Sequence, residues 1–232
     1  MIGVYLFGIF SIIFAGLFCW FRASKANVFS LALKTVASVC FILCGVFAIQ
    51  TVGSTSFNLL IILGLVMGLI GDIILDLKIM YPAQSDQYFT FGTTSFAIGH
   101  LFYFLACFLF NNQHLPTHII WNILISLGVA IAMTVGIMLM SKKMKMNFGK
   151  SLYMVILYSI ILNFMTAFSI SIAIFVPIFW IFAAGMILFL LSDLVLSMQY
   201  FGGRDEKVFI YINHFLYYAA QVCLAISILF LV

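Results

Sequence analysis

Charged side chains are scarce in this chain, since Asp, Glu, Lys and Arg make up only 7% of its 232 residues. Soluble domains carry roughly a quarter charged residues, so this composition excludes a soluble globular protein. Hydrophobic residues account for 66% of the sequence, and the mean hydropathy is +1.29. The composition therefore predicts an integral membrane protein without a basic surface domain, and we expect no nucleic-acid partner.

Cysteine is also scarce, with five residues, and none of them belongs to a CxxC pair. All five lie inside apolar segments, where free cysteine behaves as a small buried hydrophobic residue. This pattern predicts neither a disulfide framework nor a cysteine metal site at Cys19, Cys40, Cys44, Cys107 and Cys223.

Apolar segments of about 20 residues, long enough to span a membrane as helix, recur eight times. Their approximate limits are 2–21, 29–50, 58–77, 89–110, 119–140, 151–172, 175–200 and 208–231. The first has no basic residue before it and no small-x-small cleavage site before Arg22, so we expect a retained helix rather than a signal peptide. The predicted fold is an all-α integral membrane protein, with eight transmembrane helices in one domain over residues 1–232.

Basic residues lie only at the odd-numbered connections between the predicted helices. They are Arg22, Lys25, Lys34, Lys78, Lys142, Lys143, Lys145, Lys150, Arg204 and Lys207. The positive-inside rule then places these connections in the cytoplasm and both termini outside. The third connection, residues 79–88, is expected to be long enough to cover a cytoplasmic opening.

Two aspartates interrupt the apolar segments at equivalent positions. Residues 64–78 read GLVMGLIGDIILDLK and residues 185–197 read GMILFLLSDLVLS, so Asp72 corresponds to Asp193 and Gly71 to Ser192. A charge at the centre of a membrane helix costs at least about 2.5 to 3.5 kcal/mol, so such residues are functional candidates by default. A structural ion pair with Lys34 is the alternative interpretation.

Asp72 and Asp193 are 121 residues apart, and the same offset aligns Phe96 with Tyr217 and His100 with Gln221. Two parallel four-helix repeats, about residues 1–112 and 113–232, would explain this correspondence. Repeats of this kind often place the functional site at their interface.

Other polar side chains are predicted at a similar depth in the cytoplasmic half. Lys34 lies in the second segment and His100 in the fourth, while Asn213, Tyr217 and Gln221 form a stripe on the eighth. Taken singly, each has a structural interpretation: Lys34 could extend to the interface, and His100 and Gln221 could hold helices together.

Asp72 shares a helix face with Gly68 and with Asp76, one turn later. Small residues such as these glycines let neighbouring helices approach closely, so we expect both aspartates to face the bundle interior. Asp76 could instead pair with Lys78 at the head-group level.

Taken together, these residues resemble the YhhN family, which includes lysoplasmalogenases. The resemblance extends from Lys34 to Gln221. It rests on GD-x-x-L from Gly71, F-x-x-G-H-x-x-Y from Phe96 to Tyr103, SD-x-x-L from Ser192 and Y-x-x-A-Q from Tyr217.

This resemblance implies hydrolysis of the vinyl-ether bond of a lysoplasmalogen, which releases a fatty aldehyde and a glycerophospho-base. It implies a single-chain ether phospholipid as substrate, Asp72 and Asp193 as catalytic residues, and no cofactor. It also implies a location in the bacterial cytoplasmic membrane, with the site toward the cytoplasmic leaflet.

Vinyl-ether hydrolysis begins with proton transfer to the outer alkene carbon, which leaves an oxocarbenium ion that water captures. As in glycoside hydrolysis, one carboxylic acid and one carboxylate suit this chemistry. We expect one of Asp72 and Asp193 to be the acid and the other, kept ionised by Lys34, to stabilise the cation. The sequence leaves the assignment open. The supporting or substrate-binding candidates are Lys34, Asp76, His100, Tyr103, Ser192, Asn213, Tyr217 and Gln221.

Two other classes of function compete with this hypothesis. A metal-dependent hydrolase would need about three converging ligands, which His100, His214, Asp72 and Asp193 could supply, but no HxxxH or HExxH motif supports a metal site. A lipid-binding or transport protein would also retain buried charges. It would be expected to line a path through both leaflets, whereas the predicted polar residues stop halfway, which favours a site over a conduit.

Overall fold

The computed structural model describes residues 1–24, 28–204 and 206–231, and these residues contain helices and no strands. The long helices of this described part are α1 (Ile2–Ser24), α2 (Val28–Val52), α3 (Ser56–Met80), α4 (Ser85–His114), α5 (Ile119–Lys143), α6 (Leu152–Phe175), α7 (Trp180–Gly202) and α8 (Lys207–Ser227). All eight are long and apolar enough to cross a membrane, which confirms the predicted fold class. Lys25, one of the basic residues used for the predicted orientation, lies outside the described residues.

The connections are short, and one differs from its prediction. The expected loop 79–88 is reduced to a 3₁₀ turn, Pro82–Gln84, because α3 continues to Met80 and α4 already begins at Ser85. Polar residues can extend a helix beyond its apolar span, and Asp86 in the first turn of α4 favours that helix N-terminus electrostatically. The predicted cover over a cytoplasmic opening is therefore wrong for this segment.

Seven helices form a ring in the order α1, α2, α3, α4, α6, α7 and α8, with α8 packed against α1 to close it. The eighth helix of the chain also packs against α2 and α3, across the ring. In contrast, α5 lies outside the ring and packs mainly against α6. Polar side chains from the ring helices can therefore meet in its interior, while the division into two repeats stays a prediction.

Glycines of α3 bring its neighbours close to its backbone. A Cβ atom on Gly71 would lie 2.7 Å from the ring of Phe96 in α4, and one on Gly68 would lie 2.7 Å from the Gln221 side chain in α8. These distances are too short for a real Cβ contact, so the predicted role of the glycines in close helix packing is confirmed. The aspartates of α3 consequently lie beside α4 and α8.

Charged side chains concentrate in the half of the ring where α1, α3, α5 and α7 end, which we call the basic end. Asp72 lies two turns before the end of α3, and Lys34 lies in the second turn of α2. The opposite half buries neutral amides instead, with the Asn122 side chain in α5 donating to Asn111 Oδ1 in α4 at 3.0 Å. The prediction that buried polar side chains stop halfway through the bundle is therefore wrong for neutral amides.

Candidate active site

The carboxylate of Asp72 is enclosed by donors from two neighbouring helices. Lys34 Nζ in α2 lies 3.4 Å from Asp72 Oδ1, while Ser38 Oγ donates to Oδ2 at 2.6 Å. The Tyr217 hydroxyl in α8 donates to the same oxygen at 2.9 Å. Asp72 is only 3% exposed, and its carboxyl group has one cation and two hydroxyl donors as direct neighbours.

Asp76 shares the same lysine. Lys34 Nζ lies 3.2 Å from Asp76 Oδ1, and Arg22 Nη1 lies 3.9 Å from Asp76 Oδ2. The alternative pairing with Lys78 is wrong, because residues two apart on a helix point in different directions. Lys78 Nζ instead lies 3.7 Å from the centroid of the Tyr200 ring.

A hydrogen-bonded chain continues from Asp72 to α4. The Gln221 amide donates to the Tyr217 hydroxyl at 2.8 Å, and the Tyr103 hydroxyl donates to Gln221 Oε1 at 3.3 Å. On the other side, the Tyr218 hydroxyl donates to the Lys34 carbonyl oxygen at 3.1 Å. Four candidates from three helices are thus brought into one network around Asp72, namely Lys34, Tyr103, Tyr217 and Gln221.

Asp193 belongs to a different group of side chains. The Tyr158 hydroxyl in α6 donates to Asp193 Oδ2 at 2.5 Å, and the same hydroxyl lies 3.4 Å from His100 Nε2 in α4. No lysine or arginine among the described residues forms an ion pair with Asp193. Lys34 pairs with Asp72 and Asp76, so it contacts only one of the two predicted catalytic aspartates. The two equivalent aspartates therefore have unlike environments.

Ser192 and Asn213 join α7 to α8 beside these carboxylates. The Ser192 hydroxyl donates to Asn213 Oδ1 at 2.9 Å. Both residues line a cavity of about 40 Å³, which we call the polar cavity, and Asp72, Asp76 and Asp193 line it as well. The two predicted catalytic aspartates therefore face one shared space.

A second, larger space adjoins the polar cavity. It has a volume of about 220 Å³, and its lining is almost entirely apolar, so we call it the apolar cavity. Asp193 lines both cavities, as do Leu75, Phe96, Leu196 and Tyr200. Asp193 consequently lies at the junction of a polar and an apolar compartment, with Tyr158 on the apolar side.

The apolar cavity extends toward the basic end, where the α5–α6 connection forms part of its wall. The Asn147 backbone donates to the Phe201 carbonyl oxygen at 2.9 Å, and the Phe148 and Phe201 rings lie 4.9 Å apart. Five methionines contribute to the wall, and methionine adapts readily to differently shaped apolar ligands. They are Met138, Met140, Met144, Met146 and Met198.

The histidines considered as metal ligands have separate partners. His100 lies beside Tyr158, whereas His214 Nδ1 lies 2.8 Å from the Ile210 carbonyl oxygen and its ring packs on Phe18. Within the described ranges, no group of three or more His, Cys, Asp or Glu side chains has an arrangement that could hold a metal ion.

The model of the YhhN family matches residues 29–228 of this chain. The chain belongs to the YhhN family. No curated protein and no solved structure matches it. In this YhhN protein the matched range includes Asp72, Asp193, Tyr158 and every residue that lines the apolar cavity, whereas Arg22 of the polar cavity precedes it.

Sequence reasoning missed several residues of this YhhN site. Ser38 follows Lys34 by one helical turn, so the spacing of four residues could have suggested it. Tyr158 has no comparable signal, because its partner Asp193 lies 35 residues away on another helix. Arg22 was assigned only to membrane topology, although its side chain also reaches Asp76.

Proposed function

We propose that this YhhN protein hydrolyses the vinyl-ether bond of single-chain ether phospholipids and releases a fatty aldehyde. The observation that carries the proposal is the position of Asp193, where the apolar cavity meets the polar cavity that Asp72 also lines. A lipid chain suits the first compartment, and the polar part of the lipid suits the second. The bond between these two parts of the substrate would lie beside Asp193.

The different environments of the aspartates support a division of roles. Asp72 is paired with Lys34 and receives hydrogen bonds from Ser38 and Tyr217, so it is the carboxylate that stabilises positive charge. Asp193 has a tyrosine partner and no paired cation among the described residues, so it is the proton donor. Two carboxyl groups with opposed environments are the usual arrangement for acid and carboxylate roles at one site.

The reaction follows from this assignment. The Asp193 carboxylic acid transfers its proton to the outer alkene carbon, a new C–H bond forms, and the alkene electron pair is consumed. The oxocarbenium ion that results is stabilised by the Asp72 carboxylate. Water then adds to the carbon of this ion and gives a proton back to Asp193. The hemiacetal breaks its bond to the glycerol oxygen, which takes up a proton, and its own hydroxyl loses one, so the products are an aldehyde and a glycerol hydroxyl.

Tyr158 and His100 orient the acid in this mechanism. The Tyr158 hydroxyl donates to Oδ2 of Asp193, which leaves Oδ1 to carry the transferable proton. His100 Nε2 lies 3.4 Å from that hydroxyl and limits its rotation. The predicted role of His100 thus becomes that of a positioning residue that acts through Tyr158.

The proposal can be tested by measuring the aldehyde that the purified protein in detergent releases from lipid substrates. Alkenyl, alkyl and acyl lysophospholipids of equal chain length serve as substrates, because only the first carries a vinyl ether. We expect aldehyde from the alkenyl lipid alone and loss of release in Asp193→Asn. Asp86→Asn is the matched control, since it makes the same change at an exposed aspartate that lines neither cavity.

Aldehyde release that persists in Asp193→Asn would contradict the assignment of the acid. Saturable binding of all three lipids with no aldehyde from any of them would contradict hydrolysis altogether. The apolar cavity would then belong to a lipid-binding or transport protein, which is the competing class of function.

A further inference from the structure

Arg22 occupies a position in the polar cavity that the proposed chemistry does not use. It lies in the last turn of α1 at the basic end, and its side chain is 14% exposed. Its nearest carboxylate oxygen, Asp76 Oδ2, is 3.9 Å away, which is beyond hydrogen-bonding distance. The guanidinium group therefore lies between the surface and the buried carboxylates, and Arg22 lines the polar cavity.

Two buried polar atoms of the same cavity have no hydrogen-bond partner among the described residues. One is a donor, Gln199 Nε2, and the other is an acceptor, Asp76 Oδ2. Asp76 is only 4% exposed. Buried polar atoms in native proteins nearly always have a partner, so an unpaired donor and an unpaired acceptor in one cavity indicate a ligand with both kinds of group.

The order of these groups along the bundle matches the order of groups in a lysophospholipid. Asp76 follows Asp72 by four residues, or about 6 Å along α3, and Gln199 follows Asp193 by six residues, or about 9 Å along α7. Both steps run toward the basic end, where Arg22 lies. From the reacting carboxylates outward, the cavity thus presents an acceptor, then a donor and a cation.

We infer that the polar cavity binds the glycerol phosphate part of the lipid, with Arg22 as the phosphate anchor. Gln199 Nε2 donates to a second phosphate oxygen, and Asp76 Oδ2 accepts the hydrogen bond of the glycerol hydroxyl. Arginine suits this role because its planar array of donors matches phosphate oxygens. This inference rests on the proposed function, since it assumes that the lipid lies with its ether bond at Asp193.

The charges that line the polar cavity are compatible with this ligand. The charge of Asp76 would repel a phosphate if it were unpaired, but Lys34 Nζ lies 3.2 Å from its other oxygen. Because Lys34 also pairs with Asp72, Lys34 and Arg22 together balance the charges of Asp72 and Asp76, and the phosphate meets a cluster without net negative charge.

A binding experiment with lipids that cannot be hydrolysed tests this site without requiring turnover. Isothermal titration of the full-length protein in detergent uses a 1-alkyl lysophospholipid and the matching 1-alkylglycerol, which lacks the phosphate. We expect Arg22→Gln to weaken binding of the phosphate-bearing lipid on the order of tenfold to a hundredfold, as for loss of a charged hydrogen bond. Its affinity for the alkylglycerol should be unchanged.

Arg204→Gln is the matched control, because Arg204 lies at the same end of the bundle, after the last residue of α7, and lines neither cavity. It should bind both lipids as the unaltered protein does. If Arg22→Gln does not fold, Gln199→Leu replaces it, with the same selective loss expected. Arg22→Lys, which keeps the charge, should retain part of the affinity.

An equal loss of affinity for both lipids in Arg22→Gln would show that Arg22 acts only by holding Asp76, and would overturn the inference. Unchanged affinity for the phosphate-bearing lipid would overturn it as well. A third titration with glycerol 3-phosphate tests for a soluble phosphate ligand, and binding of this compound without binding of the lysophospholipid would exclude the lipid assignment. Selective binding of the phosphate-bearing lipid, with no aldehyde release from the alkenyl lipid, would instead support the phosphate site and contradict the proposed hydrolase activity.

Discussion

Lys34 is the cation on which two buried carboxylates depend, so its removal has a predictable cost. Its Nζ lies 3.4 Å from Asp72 and 3.2 Å from Asp76, and all three side chains are at most 6% exposed. The substitution Lys34→Met keeps an unbranched apolar side chain at this position but removes the charge. Breaking one buried ion pair costs about 3 to 5 kcal/mol, because an uncompensated charge remains in the interior.

A loss of this size should lower the melting temperature of the detergent-solubilised protein by roughly 6 to 20 °C. Thermal unfolding followed by circular dichroism measures this change. Lys34→Met/Asp76→Asn should recover part of the loss, because one of the two unpaired carboxylates has been removed with the cation. Lys143→Met, at an exposed lysine in the last turn of α5, is the control and should change the melting temperature little.

A melting temperature of Lys34→Met within about 2 °C of the unaltered protein would refute the reasoning, because it would mean that the two aspartates are not held as charges by Lys34. An absence of recovery in the double variant would contradict the coupling between Lys34 and Asp76. The first result would also remove the basis for treating Asp72 as the ionised partner in the reaction.

Three further predictions concern the Tyr158 hydrogen bond, the apolar cavity and the packing of α3 against α4. Tyr158→Phe should lower kcat for the alkenyl lipid by about ten- to a hundredfold with little change in KM, because it removes one hydrogen bond to the acid; an unchanged kcat would show that Tyr158 does not position it. Leu162→Trp should fill part of the apolar cavity that Leu162 lines, and a panel of chain lengths should then show a shift toward shorter chains; an unchanged chain preference would place the chain elsewhere. Gly71→Ala should destabilise the protein by about 1 to 3 kcal/mol, because its Cβ would lie 2.7 Å from the Phe96 ring, whereas Gly136→Ala, with no atom within 4 Å, should not; equal melting temperatures of the two variants would refute this packing.

Hydropathy and spacing were sufficient to predict the helices and the residues most relevant to the site. Long apolar runs are a local property of the chain, so all eight helices could be located. Most helices extend a few residues beyond the predicted limits, whereas α7 begins five residues later and α8 ends four residues earlier than predicted. Asp72 and Asp193 were recognisable because charge is rare in such segments and because their flanking residues correspond. The glycines of α3 could also be assigned correctly, since close packing is their usual role in membrane helices.

The partners of these residues could not be predicted in the same way. Lys34 could have kept either aspartate ionised, and only the packing of α2 against α3 pairs it with Asp72 and Asp76. The predicted loop over the cytoplasmic opening is wrong, and the α5–α6 connection forms part of the wall of the apolar cavity instead. Which helices are neighbours in a bundle, and how each is rotated, depends on contacts between distant segments.

The amino-acid sequence by itself determined the membrane class, the eight helices and the two aspartates, because each depends on composition or on spacing within one segment. Tertiary structure alone decided that Asp72 lies in an ion-paired network and Asp193 beside Tyr158, and that a polar and an apolar cavity meet at Asp193. The physical reason is that the environment of a buried carboxyl group is set by side chains from other helices, whose positions no local pattern encodes.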